Sequence, residues 1–273
     1  GPLYLATIID QAGYDVSILN ENILRREVGR DELAEADILC MSCMTATIER
    51  GKEIASAYKM IREKLGKESW SIIGGIHASM IPEDVEDHFD QVFIGEGETK
   101  ILDLISGRIR DKVVHGERLE QLDEVPVPDF RLLKGWERMK AWPIMTSRGC
   151  PYNCTFCSVT EMFGRGYRMK SVEKVIEEIK AYDHKWLFFV DDHFVVKKKR
   201  TQAILDAMNH EKLNLRWSCQ VRTELSRDLP LVRNMRESGC RTVYIGFESI
   251  NQKSLEEMHK HQSVEDIKRS VKI

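Results

Sequence analysis

Three cysteines crowd into eight positions of this 273-residue chain, Cys150, Cys154 and Cys157, in the run Arg148-Gly-Cys-Pro-Tyr-Asn-Cys-Thr-Phe-Cys157. Thiolates are the ligands that iron–sulfur clusters require. Three of them leave one iron of a four-iron cube with an open coordination position. The tight spacing lets a single loop wrap the cube, and Gly149 removes side-chain bulk where the backbone must approach closely. A structural zinc site is the competing reading. It takes four ligands, usually in paired Cys-x₂₋₄-Cys units, and no second pair lies nearby. Cys219 and Cys240 are the remaining candidates, but both fall in or next to strand patterns. Cys40 and Cys43 form a separate Cys-x-x-Cys within and just after a buried strand, where structural thiols are expected.

The elements around the triad read as repeated βα units. From Trp142 onward, strands are predicted at Pro143–Thr146, Trp186–Val190, Leu215–Cys219 and Thr242–Gly246. Helices are predicted at Val172–Asp183, Lys198–Asn209, Pro230–Ser238 and Gln252–Met258. The cysteines occupy the loop after the first of these strands. Loops after barrel strands build the mouth where barrel active sites lie. A complete barrel needs about 250 residues, and only 123 follow Cys150, so about half a barrel is expected. The amphipathic helix Val264–Ile273 ends without a cap.

Residues 109–141 have weak periodicity and contain Val125-Pro-Val-Pro-Asp129, which reads as a stiff connector. Ahead of it, residues 1–108 alternate helix and strand. Helices are predicted over Leu3–Ala12, Ile48–Leu65, Pro82–His88 and Glu98–Ile105, and strands over Asp15–Leu19, Ala36–Met41, Ser71–Ile73 and Gln91–Ile94. Such alternation implies a parallel, doubly wound sheet. A helix comes first, so a central strand of a flavodoxin-like order is expected upstream of Gly1.

Composition narrows the class. A net charge of -3 argues against a general electrostatic nucleic-acid binder. The longest apolar runs, such as Trp186–Val190, are too short to cross a bilayer. No basic stretch opens the chain as a secretory signal would, and seven cysteines, three of them crowded together, do not form a disulfide framework. A reducing cytoplasm is expected.

Cys-x₃-Cys-x-aromatic-Cys after a first barrel strand resembles the signature of radical S-adenosylmethionine (SAM) enzymes, over essentially all of residues 142–273. The resemblance implies that Cys150, Cys154 and Cys157 ligate a [4Fe–4S] cluster whose open iron chelates SAM, and that Phe156 lies near the adenine. One-electron reduction, implying an external donor such as a flavodoxin or ferredoxin, then releases a 5′-deoxyadenosyl radical. Asp191-Asp192-His193-Phe194 resembles the SAM-contacting stretch of members that carry a cobalamin domain, though Asp192 also suits a helix cap. Arg216-Trp-Ser-Cys-Gln220-Val-Arg222 resembles the third-strand segment, placing Gln220 or Arg222 at SAM or substrate. Gly246-Phe-Glu248-Ser249 resembles the fourth-strand motif, with Glu248 accepting from SAM.

Residues 1–108 resemble the cobalamin-binding domain fused ahead of many such barrels. The resemblance implies a pocket lined by Ser42, Thr45, Gly74, Gly75, Gly95 and Gly97 at C-terminal strand ends. The Asp-x-His-x-x-Gly run that supplies an axial histidine to cobalt is absent from this domain, and His77 reads as a loop hydrogen-bonder. The expected architecture is therefore α/β: a Rossmann-like (flavodoxin-like) cobalamin-binding domain followed by a partial (β/α) radical SAM barrel. The expected function is cobalamin-dependent methyl transfer to an unactivated carbon. A radical SAM cyclase or sulfur-inserting enzyme and a non-catalytic iron–sulfur or zinc module are the alternatives. No side chain is assigned to acid–base work, because the cofactors own the chemistry.

Overall fold

The structure is a computed structural model that describes residues 1–164 and 166–273. It divides into two compact units, Gly1–Glu120 with Val125–Met139, and Gln121–Glu124 with Lys140–Ile273.

In the first unit a proline in the opening turn starts α1 (Pro2–Gln11), and Asn20 caps the short α2 (Glu21–Leu24) by accepting from the Asn22 and Ile23 N–H groups. Next come α3 (Arg30–Glu35), β1 (Leu39–Ser42) and α4 (Ile48–Lys64). The unit continues with β2 (Ser71–Gly74), α5 (Gly75–Met80), β3 (Gln91–Ile94), α6 (Ile101–Ile105) and β4 (Val113–His115). The strands pair in parallel in the order β1-β2-β3-β4. Consecutive residues of β2 point to opposite faces, and both are buried. Ile73 packs with Ile48, Ala55 and Val92, while Ile72 packs with Ile9, Ile101 and Leu104. Helices therefore cover both faces, which is why the strand reads as a continuous apolar run.

Three local expectations are corrected. Among the described residues Asp15–Leu19 makes one bridge, Ile18 to Leu133, and no neighbouring strand extends it into a ladder. Pro82–His88 holds only a single 3₁₀ turn, Pro82–Asp84, and the helix lies earlier, at α5. Residues 109–141, expected as a connector, contribute β4 and a stretch folded onto the first unit, while Gln121–Glu124 joins the second. There the Asp123 carboxylate accepts from the Ser171 N–H at 2.7 Å.

The second unit starts with β5 (Trp142–Ile144), the two-residue β6 (Ser147–Arg148), α7 (Val159–Phe163) and the two-residue β7 (Arg168–Met169). It continues with α8 (Val172–Ala181), β8 (Trp186–Phe189), α9 (Lys198–His210) and β9 (Arg216–Val221). The last elements are α10 (Leu229–Glu237), β10 (Cys240–Ile245), α11 (Gln252–Glu257) and α12 (Val264–Lys272). Four strands form a parallel sheet in the order β10-β9-β8-β5, the partial barrel. Its core packs Phe189 against Phe194 in a tilted pair and against Trp217 edge to face, with ring centroids 4.5 and 5.2 Å apart. The antiparallel pair β6–β7 clamps both ends of the cysteine loop. No helix of the described residues is long and apolar enough to cross a membrane.

Candidate active site

The cysteine loop hangs from a buried carboxylate. Asp191, at the end of β8, accepts from the Thr146 N–H at 3.1 Å, from Thr146 Oγ1 at 2.8 Å and from Ser147 Oγ. Arg200 of α9 then donates to the Thr146 and Lys170 carbonyls at 3.0 and 2.7 Å. Asp191 is therefore turned inward onto the strand end that precedes the loop, not toward a cofactor. Burial pushes its carboxyl above the usual range, and the three donors oppose that shift. Asp192, one residue on, is exposed and faces the Gly149 N–H and Cys150.

Gly149 makes the turn into the loop. Its φ is +86°, and a Cβ there would lie 2.3 Å from the Gly166 carbonyl oxygen. Cys150, Cys154 and Cys157 follow, all free and half-buried. The Cys157 N–H donates to the Cys154 carbonyl at 3.1 Å, and the Thr155 N–H donates to the Met258 carbonyl at 3.1 Å, pinning the loop to the end of α11. Burial raises the Cys150 thiol pKa, and Arg222 counters it.

Around the thiols lies a charged belt. Arg222 points its Nη1 at Cys154 Sγ, 3.8 Å away, donates through Nε to Glu224 Oε1 at 3.1 Å, and donates through Nη2 to the Lys260 carbonyl. Its guanidinium lies 3.9 Å from the centroid of the Tyr152 ring. Lys260 Nζ donates to Glu248 Oε1 at 2.9 Å and sits 5.4 Å from the centroid of the half-exposed Phe156 ring. Gln220 reaches back to the Asp191 carbonyl at 3.4 Å, and Ser249 Oγ accepts from the Asn251 N–H at 3.0 Å in the turn before α11. Sequence reasoning missed Lys260, Glu224 and Tyr152. Lys260 and Glu224 lie outside any strand-end motif, and Tyr152 sits unmarked between the first two cysteines.

The fit to a cluster follows from the donor set. Three free thiols share one loop, as the thiolate ligands of an iron–sulfur cluster do, and one of them, Cys154, faces the Arg222 guanidinium. Among the described residues no three His, Cys, Asp or Glu side chains converge on one ion. Cys219 and Cys240 instead contact each other, both buried.

In the first unit Ser42, Thr45, Gly74, Gly75, Gly95 and Gly97 stand at or just beyond the C-terminal ends of β1, β2 and β3. Gly75 has φ +86°, and a Cβ there would lie 2.5 Å from Ser42 Oγ, so the backbone packs flat against β1. Ser79 Oγ accepts from the Gly95 N–H at 3.0 Å. His77 is buried with both ring nitrogens engaged, by Thr45 Oγ1 at 3.1 Å and Asp84 Oδ2 at 2.9 Å. Lys52, and then His77, hold the Asp84 carboxyl below its usual range. This smooth glycine floor fits a flat macrocycle, and it offers no nitrogen from His77 to a metal.

Comparison with known proteins matches residues 144–273 to the radical SAM superfamily and residues 1–105 to the B12 binding domain. An uncharacterized methyltransferase of Pyrococcus horikoshii is 29% identical over 100% of this chain and 66% of its own length. Bacteriochlorophyllide d C-12(1)-methyltransferase of Chlorobaculum tepidum is 25% identical, over 80% of this chain and 50% of its own length. The chain thus spans about half to two thirds of the curated relatives it matches. Among solved structures, the cobalamin-dependent SAM radical enzyme OxsB, with aqua-cobalamin and SAM bound, aligns with a TM-score of 0.80 at 16% identity. That alignment covers 97% of this chain and 43% of OxsB.

Proposed function

The chain belongs to the radical SAM superfamily, with a B12 binding domain ahead of its radical SAM domain, and on that premise we propose that it is a cobalamin-dependent methyltransferase acting on an unactivated carbon. The observation that carries this reading is the pairing in one chain of a three-thiol loop at a barrel mouth with a glycine-floored α/β crevice. When bound, the cluster supplies the electron that cleaves SAM, and cobalamin supplies a transferable methyl group.

Cys150, Cys154 and Cys157 hold the cluster. Asp191 fixes the strand end from which their loop departs. Phe156, Asp192, Gln220, Glu248 and Ser249 are the proposed SAM contacts, with Lys260 setting the Glu248 carboxylate in place. Ser42, Thr45, Gly74, Gly75, Gly95 and Gly97 are proposed to receive cobalamin, without a histidine on cobalt. A reducing cytoplasm, where free thiols persist, and an external flavodoxin-type or ferredoxin-type electron donor complete the reading.

The test is anaerobic purification in the presence of hydroxocobalamin, followed by corrin quantification, one-electron reduction of the cobalt to Co(II) with a chemical reductant, and electron paramagnetic resonance of the bound Co(II). Stoichiometric corrin with no protein nitrogen coupling, unchanged in His77→Ala, is the expected result. A chain that retains no corrin yet cleaves SAM is a radical SAM enzyme of another reaction type. Nitrogen coupling lost in His77→Ala refutes the histidine-free site.

A further inference from the structure

We propose that Arg222 is a positioning residue that sets the reduction potential of the cluster, acting through Cys154, with Glu224 as its counter-charge. The proposal rests on the reading of the cysteine triad as cluster ligands. It concerns residues on the protein side of that site, and their geometry is fixed without the cluster.

Each nitrogen of the Arg222 guanidinium has a partner. Nε donates to Glu224 Oε1 at 3.1 Å, Nη2 donates to the Lys260 carbonyl, and Nη1 is left to face Cys154 Sγ at 3.8 Å. The Tyr152 ring closes the remaining face, 3.9 Å from the guanidinium carbon. Tyr152 is itself held, because its hydroxyl donates to the same Glu224 oxygen at 3.2 Å. The side chain therefore cannot rotate toward a ligand without breaking several contacts. It is also 7% exposed, so water screens its charge poorly.

A buried cation donating an N–H to a ligand sulfur stabilises the more negative, reduced state of an iron–sulfur cluster and so raises its potential. Glu224 works the other way. Its Oε1 takes the Arg222 and Tyr152 donors, while its Oε2 is buried with no partner among the described residues. His193 Nδ1 is likewise buried and unpartnered, and His193 interacts electrostatically with both Glu224 and Arg222. The Glu224 carboxylate is ion-paired with Arg222 at 3.1 Å, so it offsets part of the field that the cation exerts at the cluster. Stability alone is a weak reason for an ion pair whose Arg222 is buried and whose Glu224 side chain is only 30% exposed, since apolar residues of similar volume often do as well. Control of the charge beside a redox group gives the pair a use.

The experiment uses the whole chain, reconstituted anaerobically and titrated without SAM against a chemical one-electron reductant. Iron and sulfide are counted first, and the reduced cluster is then followed by electron paramagnetic resonance. The solution is poised at the wild-type midpoint, where half the clusters are reduced. There, Arg222→Gln should cut the reduced fraction several-fold, while Glu224→Gln should raise it well above half. Arg222→Lys should fall between wild type and Arg222→Gln. A purely structural role moves both neutral variants the same way or neither, and either result at normal iron content overturns the proposal. If Arg222→Gln does not fold, Glu224→Gln and Arg222→Lys decide, because each keeps a cation at position 222. A wild-type chain without a four-iron cluster overturns the cluster reading itself, which the iron count reports separately.

Discussion

His193 shows how far a side chain's neighbours can move its chemistry. Burial holds its imidazole down at about 4, Arg222 and Lys260 push the same way, and Glu224 only partly offsets them. In the unfolded chain the group titrates near ~6.5. The folded value is the lower one, so the unfolded chain binds the extra proton between the two. The stabilisation is therefore fully present above about pH 6.5 and is lost as pH falls toward 4. At pH 5 the loss is about 2 kcal/mol. Thermal melts of wild type and His193→Phe at pH 7.5 and pH 5.0 should show the gap between them shifting in favour of the variant at the lower pH; a constant gap contradicts the assignment. The neighbouring aspartates part in role. Asp191→Asn should lower the melting temperature and the iron content, because the amide keeps one acceptor oxygen where the carboxylate offers two to Thr146 and Ser147, and sets a donor against one of theirs. Glu248→Gln should leave iron unchanged and weaken SAM several-fold in calorimetric titration, since a charge-assisted bond exceeds a neutral one by about 1 kcal/mol. The cysteines were legible because their spacing is local. The inward turn of Asp191 was not, since it depends on Thr146 and Ser147 arriving from the link between β5 and β6 and from the start of β6.

At the scale of elements, legibility followed the reach of the signal. Helices with their own caps, such as α8 behind Ser171 and α12 behind Ser263, begin within a residue or two of where the sequence put them. Elements that depend on distant partners were misjudged. Asp15–Leu19 has strand composition but only one bridge, and β4 was hidden because Val113–His115 gains its meaning from pairing with β3. Pro82–His88 looked helical from its proline, yet Asp84 is taken up by His77 and Lys52. The turn into the cysteine loop is where an element controls chemistry directly. Gly149→Ala places a Cβ against the Gly166 carbonyl in a left-handed backbone, which costs about 1–3 kcal/mol before any repacking. The expected outcome is a lower melting temperature together with a lower iron content after reconstitution. A variant with wild-type iron and stability would show that the β6–β7 clamp does not hold the loop.

Across the whole molecule, two α/β units each present their working residues at the C-terminal ends of parallel strands, as open sheets and barrels both do. Fold class was readable because alternating βα periodicity survives without any knowledge of pairing. The cofactors followed from a resemblance carried by a few residues, Cys150, Cys154 and Cys157 above all. What the sequence left hidden is the belt formed by Arg222, Glu224, Tyr152 and Lys260, which comes from the turns after β9 and α11 and from the cysteine loop. That belt has a purpose only if the thiols hold a cluster. The most direct measurement is therefore iron, acid-labile sulfide and zinc on the anaerobically reconstituted chain, beside Cys154→Ala. Cluster ligation by the three thiols predicts about four irons and as many sulfides per wild-type chain, with both near zero in the variant. Stoichiometric zinc without sulfide would contradict it.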